Sequence, residues 1–357
     1  MPAEPKLCPL CVVTLDLDSS INLNLFDSTP MSRALDSNVK EALKHADHGK
    51  VFRDIVSAVN QRFESFLEFE VLGQSHPLEP GISYLQDENA IAIPKLCLVQ
   101  AFIVARATLN GGIGIVKPEN FQTIRDCTAV TLLLDSEHLT AANLRKKVLE
   151  TEINTNTEET QSLLKAEKYF VDSLLTSRLH RHTKSPTLWN HRRWIIDQAN
   201  RRGLLGDIEQ DLKDVVFVSG VRHPRNYYAW CHARLLVDIG TPDRDLLSRL
   251  VTAAESWCFS HHDDISGWAF LHFLLAKCPE LAPKTVDKTL NLTQSFQWRN
   301  ESVWCFLRGV ATLGPADITQ QVVSHAATGL KASQRDGDQG KSLEQALWWL
   351  QAYGAKE

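Results

Sequence analysis

Glycine and proline are scarce. With 17 and 14 of them in 357 residues, turns are too few for a loop-rich all-β chain that reverses every ten residues or so, and a helical majority is expected. No run of about eighteen apolar residues occurs, so no integral membrane segment is expected. Basic residues are not in excess: 38 Lys and Arg stand against 43 Asp and Glu, and a formal net charge of −5 gives no overall pull toward nucleic acid or anionic lipid. No charged-then-apolar leader opens the chain, and the eight cysteines are scattered rather than set in a framework, which points to a soluble protein of the reducing cytoplasm. Cys8-Pro9-Leu10-Cys11 has metal-type spacing, but no second CxxC or HxxxH completes four ligands, and no metal is assigned to this chain. Asn110-Gly111-Gly112-Ile113-Gly114 lacks the Lys-Ser or Lys-Thr of a phosphate loop and reads as a helix-stopping turn.

What is abundant is tryptophan: nine residues, against two Met and five Tyr, seven of them between Trp189 and Trp304. They recur in register. Ser185-Pro186-Thr187-Leu188-Trp189-Asn190-His191-Arg192-Arg193-Trp194 is echoed by His223-Pro224-Arg225-Asn226-Tyr227-Tyr228-Ala229-Trp230-Cys231-His232-Ala233-Arg234, by Asp264-Ile265-Ser266-Gly267-Trp268 and by Asn300-Glu301-Ser302-Val303-Trp304. An earlier copy has Ala142 where the others have Trp. The steps between copies shorten from 47 to 36 residues, the size of stacked helical hairpins. Ser185-Pro186, His223-Pro224 and Thr241-Pro242 each offer a start with proline at the first helical position. Each copy therefore begins a helix. Amphipathic segments such as Leu164 to Leu179 and Leu246 to Phe259 supply its partner within the pair. Arg or His four residues after each Trp lies one turn along the same face, where the cation can cover the ring or reach a neighbouring helix's last carbonyls. A Trp recurring in this way is first of all a packing device.

The expected architecture is all-α: a right-handed α-α superhelix, a solenoid of helical hairpins, behind an irregular N-terminal extension. Residues 1–94 form that extension, with short extended or looped pieces from Phe69 to Pro94. The array covers 95–330, with copies centred near 142, 189, 230, 268 and 304. A linker spans 331–341, and 342–357 is a terminal helix that caps the open end.

The copy pattern resembles the alpha-subunit repeat of the protein prenyltransferases, which reads approximately Asn-Tyr-x-x-Trp-x-His-Arg-Arg-x-Leu. Leu132 to Asp135, Ala141 to Lys146, Lys184 to Pro186 and Asp264 to Gly267 look most like its divergent third kind of alpha subunit. The resemblance covers about residues 65 to 310 and is strongest from 184 to 275. It implies one half of an enzyme: a chain with no cofactor of its own, pairing with a zinc-containing β subunit, of the Rab geranylgeranyltransferase β type. The pair would move an isoprenoid from its diphosphate to a cysteine of a protein substrate such as a SNARE. The family places a lysine five before one Trp at the diphosphate, and Lys184 stands there. Its Asn-Tyr-His before Ala-Trp is matched by Asn226 and Tyr227, with Tyr228 in place of the histidine. Lys184, Tyr227 and Asn226 are thus the catalytic candidates, and Arg225 and Tyr228 the substrate-binding ones. The family's tyrosine three before the first Trp is Pro186 here, so that hydroxyl is absent. A leaving diphosphate gathers negative charge that an ammonium and hydroxyl or amide donors stabilise. By residue type alone, Lys184 after His180-Arg181-His182 reads as a helix-start lysine on a solvated face or acid-binding surface, and it is the family position that makes it a catalytic candidate. His191 and His232 read as interhelical hydrogen-bonding residues, and His261-His262-Asp263-Asp264 as a helix cap. The alternative function is a helical-repeat adaptor that kept the fold and lost the chemistry, as Ala142 and the replaced His-Arg-Arg after Trp268 suggest.

Overall fold

The computed structural model describes residues 47–73, 78–79, 81–111, 116–155, 158–313, 316–333 and 340–353. The Cys8–Cys11 pair, the segments before residue 47, His76-Pro77, Gly112 to Gly114 and the centre of the expected linker lie outside them.

After α1 (His48–Val59) the chain forms β1 (Glu68–Leu72), β2 (Leu85–Asp87) and β3 (Ala90–Pro94), and α2 (Lys95–Asn110) follows directly. Strand β3 lies centrally, parallel to β1 and antiparallel to β2. The expected extended pieces therefore pair into a sheet. Phe69, Ile91 and Ile93 are buried in the same core as the helices. Beyond β3, the edge of β1 is closed by a helix: the amides of Leu67 and Phe69 donate to the Ser173 and Ser177 hydroxyls at 3.1 and 2.8 Å. Edge amides that would otherwise be unpaired are satisfied in this way. Helix α2, apolar nearly all round, buries Leu98, Ala101 and Ala105 but leaves Ile103 exposed, so only one side of it faces the core.

Six hairpins follow. Their first helices are α3 (Phe121–Leu134), α5 (Thr160–Thr176), a composite of α8 (Ile208–Asp211), a π-helical stretch (Leu212–Phe217) and α9 (Val218–Arg222), then α11 (Arg244–Ser260), α13 (Ala282–Phe296) and α15 (Ala316–Ser333). Their second helices are α4 (Leu139–Thr155), α7 (Pro186–Asn200), α10 (Tyr227–Gly240), α12 (Ile265–Lys277), α14 (Glu301–Val310) and α16 (Lys341–Tyr353). A short α6 (His180–Thr183) sits at the second corner. The second helices pack side by side in chain order, each against the next. The array expected from the repeat is thus the one observed. It continues past Leu313, where the copies fade in the sequence: α15 runs to Ser333 over the start of the expected linker, and Leu343, Ala346 and Leu350 seat α16 against α14 and α15. Buried apolar spacing keeps this pair in place without an anchor tryptophan.

In four of the five copies the side chain four before the anchor caps the second helix; in the fifth, Asn300 stands at that place without a side-chain cap bond. The Ser185 hydroxyl, the Asn226 amide oxygen and the Asp264 carboxylate each accept backbone N–H groups of the first turn, and His138 Nδ1 accepts from Ala141 at 3.2 Å in the first copy. Only Pro186 occupies the first helical position as expected. Pro224 and Pro242 lie outside α10 and α11, because Asn226 and Asp243 downstream make the cap bonds, to Ala229 N and Leu246 N. The anchor rings Trp189, Trp230, Trp268 and Trp304 are buried. Two of the cations four residues on cover the next helix rather than their own anchor: Arg234 lies 5.9 Å from the Phe273 ring centre and Arg308 6.0 Å from that of Trp349.

Candidate functional site

The corners between first and second helices are stitched to one another, and this decides what each candidate residue can do. Thr183 O, at the second corner, accepts from Trp189 Nε1 at 2.8 Å and from Asn226 Nδ2, at the third corner, at 2.6 Å. His262 O at the fourth corner does the same for Trp268 Nε1 (2.9 Å) and Asn300 Nδ2 (2.7 Å). Ser185 Oγ reaches back to Ser136 O, and Ser302 Oγ to Asp263 O, each at 2.9 Å. Asn226 is thus a strap and a cap at 1% exposure, with both ends of its amide engaged. Its contribution at this corner is to hold the third corner against the second.

That strap brings Lys184, which follows Thr183, beside Arg225, Tyr227 and Tyr228. Lys184 and Arg225 are exposed, as are the two tyrosines, Tyr227 at 67%. The tyrosine rings meet edge to face at 5.7 Å. Arg225 has a left-handed backbone, φ 59°, a conformation uncommon outside glycine; its amide is pinned to Asp264 Oδ2 at 2.5 Å. Two imidazoles missed in the sequence join the group: His223 Nδ1 lies 2.8 Å from His180 Nε2, with the rings edge to face. Burial, with the nearby His180 and Lys184, holds the His223 imidazole below its usual pKa. Arg178 and Arg222 flank the corner, and both bind Glu68 Oε1, at 2.5 and 2.7 Å. The result is an exposed, predominantly basic corner with two phenols at its edge, a surface able to hold an anion such as a diphosphate.

Behind the corner lies a polar core. Arg145 grips Glu167 through two bonds of 2.7 Å and covers the Phe170 ring, while His191 Nε2 faces Glu167 Oε1 at 2.9 Å. Arg192 binds Asp172 and Asp211, each at 2.7 Å, and its third nitrogen donates to His232 Nε2. Lys168 bridges the same two aspartates at 2.6 Å. The histidines expected to bond between helices therefore do face other helices. Burial raises the carboxyls of Glu167 and Asp211, but the charges of Arg145 and Arg192 outweigh it and hold both below the usual range. The signal in the sequence was the arginine three residues after Ala142 and Trp189, facing acids within the apolar run of α5.

Burial pushes the pKa values of His182, His191 and His232 down, Arg192 adding to the effect on His232. The unfolded chain then binds protons that the folded one refuses. Stability is therefore full above pH ~6.5, the unfolded histidine value, and falls below it by at most about 2 kcal/mol per histidine at pH 5. A second loss follows near pH ~4, where the carboxylates protonate in the unfolded chain. Urea unfolding from pH 8 to 5 checks this, with His232→Gln expected to flatten the profile. An unchanged unfolding free energy across that range would refute it.

Among the described residues, no group of three or more His, Cys, Asp or Glu is placed to hold a metal ion, and no helix is long and apolar enough to cross a membrane. At the fourth corner, Asp264 of the His261–Asp264 run accepts from Ser266 N and Gly267 N as a cap.

Hairpins of this period, with anchor tryptophans and stitched corners, define a helical-repeat protein. The model of the protein prenyltransferase alpha subunit repeat matches residues 172–199, and that of the ECM9 middle domain matches 188–296. The chain is similar to protein prenyltransferase alpha subunit repeat-containing protein 1 of Danio rerio, 27% identical over 48% of this chain and 42% of that protein. It is also similar to the human protein of the same name, 27% identical over 44% and 40% respectively, and to Protein ECM9 of Saccharomyces cerevisiae, 26% over 61% and 59%. The aligned segments thus span between two-fifths and three-fifths of these relatives. Among solved structures, a chain of Candida albicans protein geranylgeranyltransferase-I complexed with GGPP aligns at 16% identity with a TM-score of 0.44, over 80% of this chain and 92% of that one.

Proposed function

We propose that this chain is the alpha-type subunit of a heterodimeric protein geranylgeranyltransferase of the cytoplasm. It pairs with a zinc-containing β subunit, of the Rab geranylgeranyltransferase β type, and the pair transfers an isoprenoid from its diphosphate to a cysteine of a protein substrate such as a SNARE. The observation that carries this reading is the exposed basic corner: Lys184 stands where the repeat family keeps its diphosphate lysine, and Asn226 straps Arg225, Tyr227 and Tyr228 beside it. As the carbon–oxygen bond breaks, charge builds on the diphosphate, and the Lys184 ammonium with the Arg225 guanidinium opposes it. Zinc held by the partner would supply the Lewis acid that favours the thiolate of the acceptor cysteine.

Lys184→Ala is expected to leave the complex with β intact and to slow isoprenoid transfer by roughly a hundredfold, the effect of removing one charge-stabilising donor. Undiminished transfer by this exposed-residue variant would remove the lysine from the mechanism. The adaptor reading is favoured by one feature, the commitment of Asn226 to structure, and it predicts a chain that forms no complex with any prenyltransferase β subunit.

A further inference from the structure

Two histidines from successive hairpins meet at the basic corner. His180 opens α6 and is exposed, while His223 follows the last residue of α9 and is half-buried. His223 Nδ1 lies 2.8 Å from His180 Nε2, so one ring donates to the other, and the ring centres are 4.2 Å apart. The outward nitrogens, His180 Nδ1 and His223 Nε2, hold no hydrogen bond among the described residues. Proton counting fixes what such a pair can do. The neutral pair holds one proton in the bond between the rings and one on the outward nitrogen of the accepting ring, leaving the donating ring's outward nitrogen bare. One further proton fills that nitrogen and the inner bond survives. A second would break the inner bond and set two charged rings against each other, so the pair takes up a single proton as a unit.

The surroundings decide when it does so. Five cations stand on the elements about it: Arg178 just past α5, Arg181 and Lys184 in and after α6, Arg222 at the end of α9, and Arg225 at the third corner. The carboxylates of the corner are already engaged, Glu68 by Arg178 and Arg222, and Asp264 by the amides of Arg225, Ser266 and Gly267. Burial, then His180 and Lys184, outweigh the opposing charge of Asp264 and keep His223 neutral at pH ~7 in the free chain. An anion seated on Lys184 and Arg225 reverses the sign of that local field.

We propose that the His180–His223 pair is a further part of the anion site at this corner: it takes up one proton as a diphosphate binds and offers it two outward N–H groups, so that binding tightens as the solution becomes more acidic. The proposal rests on the reading of the corner as a diphosphate site put forward above. A diphosphate suits the pair better than a carboxylate does, because it has oxygens enough for an ammonium, a guanidinium and two imidazole N–H donors together, and more than one negative charge to favour the added proton.

The test uses the full chain and inorganic pyrophosphate, with Kd measured by calorimetry from pH 8 to 6. Pyrophosphate itself gains a proton in this range, so each slope is read against that of the double variant His180→Gln/His223→Gln. Beyond the change in that variant, the wild-type chain is expected to bind about tenfold more tightly at pH 6 than at pH 8. Lys184→Ala is expected to raise Kd about tenfold at every pH and to keep the slope, since it removes a charge but no titrating group. Arg201→Gln, at an exposed site beyond α7, is the control and should match wild type. Nitrogen NMR of the wild-type imidazoles needs no variant: at pH ~7 the pair should gain one N–H proton when pyrophosphate is added. A double variant that keeps the wild-type slope, or imidazoles that stay neutral in the saturated chain, would overturn the role of the pair. A chain that binds no pyrophosphate at about 10 mM overturns it as well, by removing the anion site. A chain that binds with this slope, yet moves no isoprenoid with any β subunit, keeps the pair and removes the function proposed above.

Discussion

Arg192→Met is expected to destabilise the chain by about 3–5 kcal/mol, the usual cost of removing one partner from a buried ionic group. Arg192 and Asp172 are both at 0% exposure, so the aspartate cannot turn to water when its guanidinium goes. Lys168 remains beside both aspartates, but it cannot replace the two bonds of 2.7 Å or the donor to His232. The loss has a pH signature. Asp211 is held ionised by Arg192 and Lys168 against its burial, so its contribution is present above the unfolded carboxylate value of ~3.9 and disappears as pH falls through the depressed folded value. The difference between wild type and Arg192→Met should therefore shrink on acidification below pH ~4. Adding Asp172→Asn should recover part of the loss, since an amide is cheaper to bury than an uncompensated carboxylate. Urea unfolding of the three proteins checks all of this. A single-variant cost below 1 kcal/mol would place the network among pairs that contribute little.

Trp230→Ala should cost a similar amount, about 3–5 kcal/mol, through lost burial and the cavity left behind. Its ring meets Trp257 edge to face at 4.7 Å, with Phe270 at 5.5 Å and Phe217 at 5.8 Å. Packing here is close enough to demand a glycine: a Cβ on Gly267 would stand 2.5 Å from the Trp257 ring and 3.2 Å from that of Trp230. The milder substitution separates the anchors. Trp189, Trp268 and Trp304 each donate Nε1–H to the carbonyl six residues earlier, at 2.8, 2.9 and 2.9 Å, whereas buried Trp230 Nε1 finds no acceptor among the described residues. The equivalent loop ends in Pro224, and Arg225, in its left-handed conformation and pinned to Asp264, turns it another way. Trp230→Phe therefore deletes an unsatisfied donor and should cost about 1 kcal/mol less than Trp189→Phe or Trp268→Phe, each of which breaks a bond and orphans part of a carbonyl. Equal shifts in the urea midpoints of the three would contradict this account.

Local features were the legible ones. The Ser185 cap with Pro186, the buried anchors and the hairpin period depend on residues within one or two turns of one another, and they appear in the structure where the spacing puts them. The sixth hairpin was harder to see because α16 keeps the buried apolar spacing but not the motif. Pro224 and Pro242 misled because a proline marks a helix start only when no better cap follows it.

The candidate site was legible in part. Lys184 and the two tyrosines are exposed side chains, whose place follows once their corner is known. Asn226 was not legible, because its amide is engaged by Thr183 O, 43 residues earlier, and no short pattern encodes that contact. The same holds for His180 with His223 and for Arg192 with Asp172 and Asp211.

By itself, the sequence determined the helical repeat and its register, since periodicity acts over a few residues. Only the tertiary structure decided which polar side chains become straps, which become buried charges and which remain in solvent. The physical reason is that hydrogen bonds and desolvation depend on what stacks opposite, and in this array the opposing group belongs to the neighbouring hairpin.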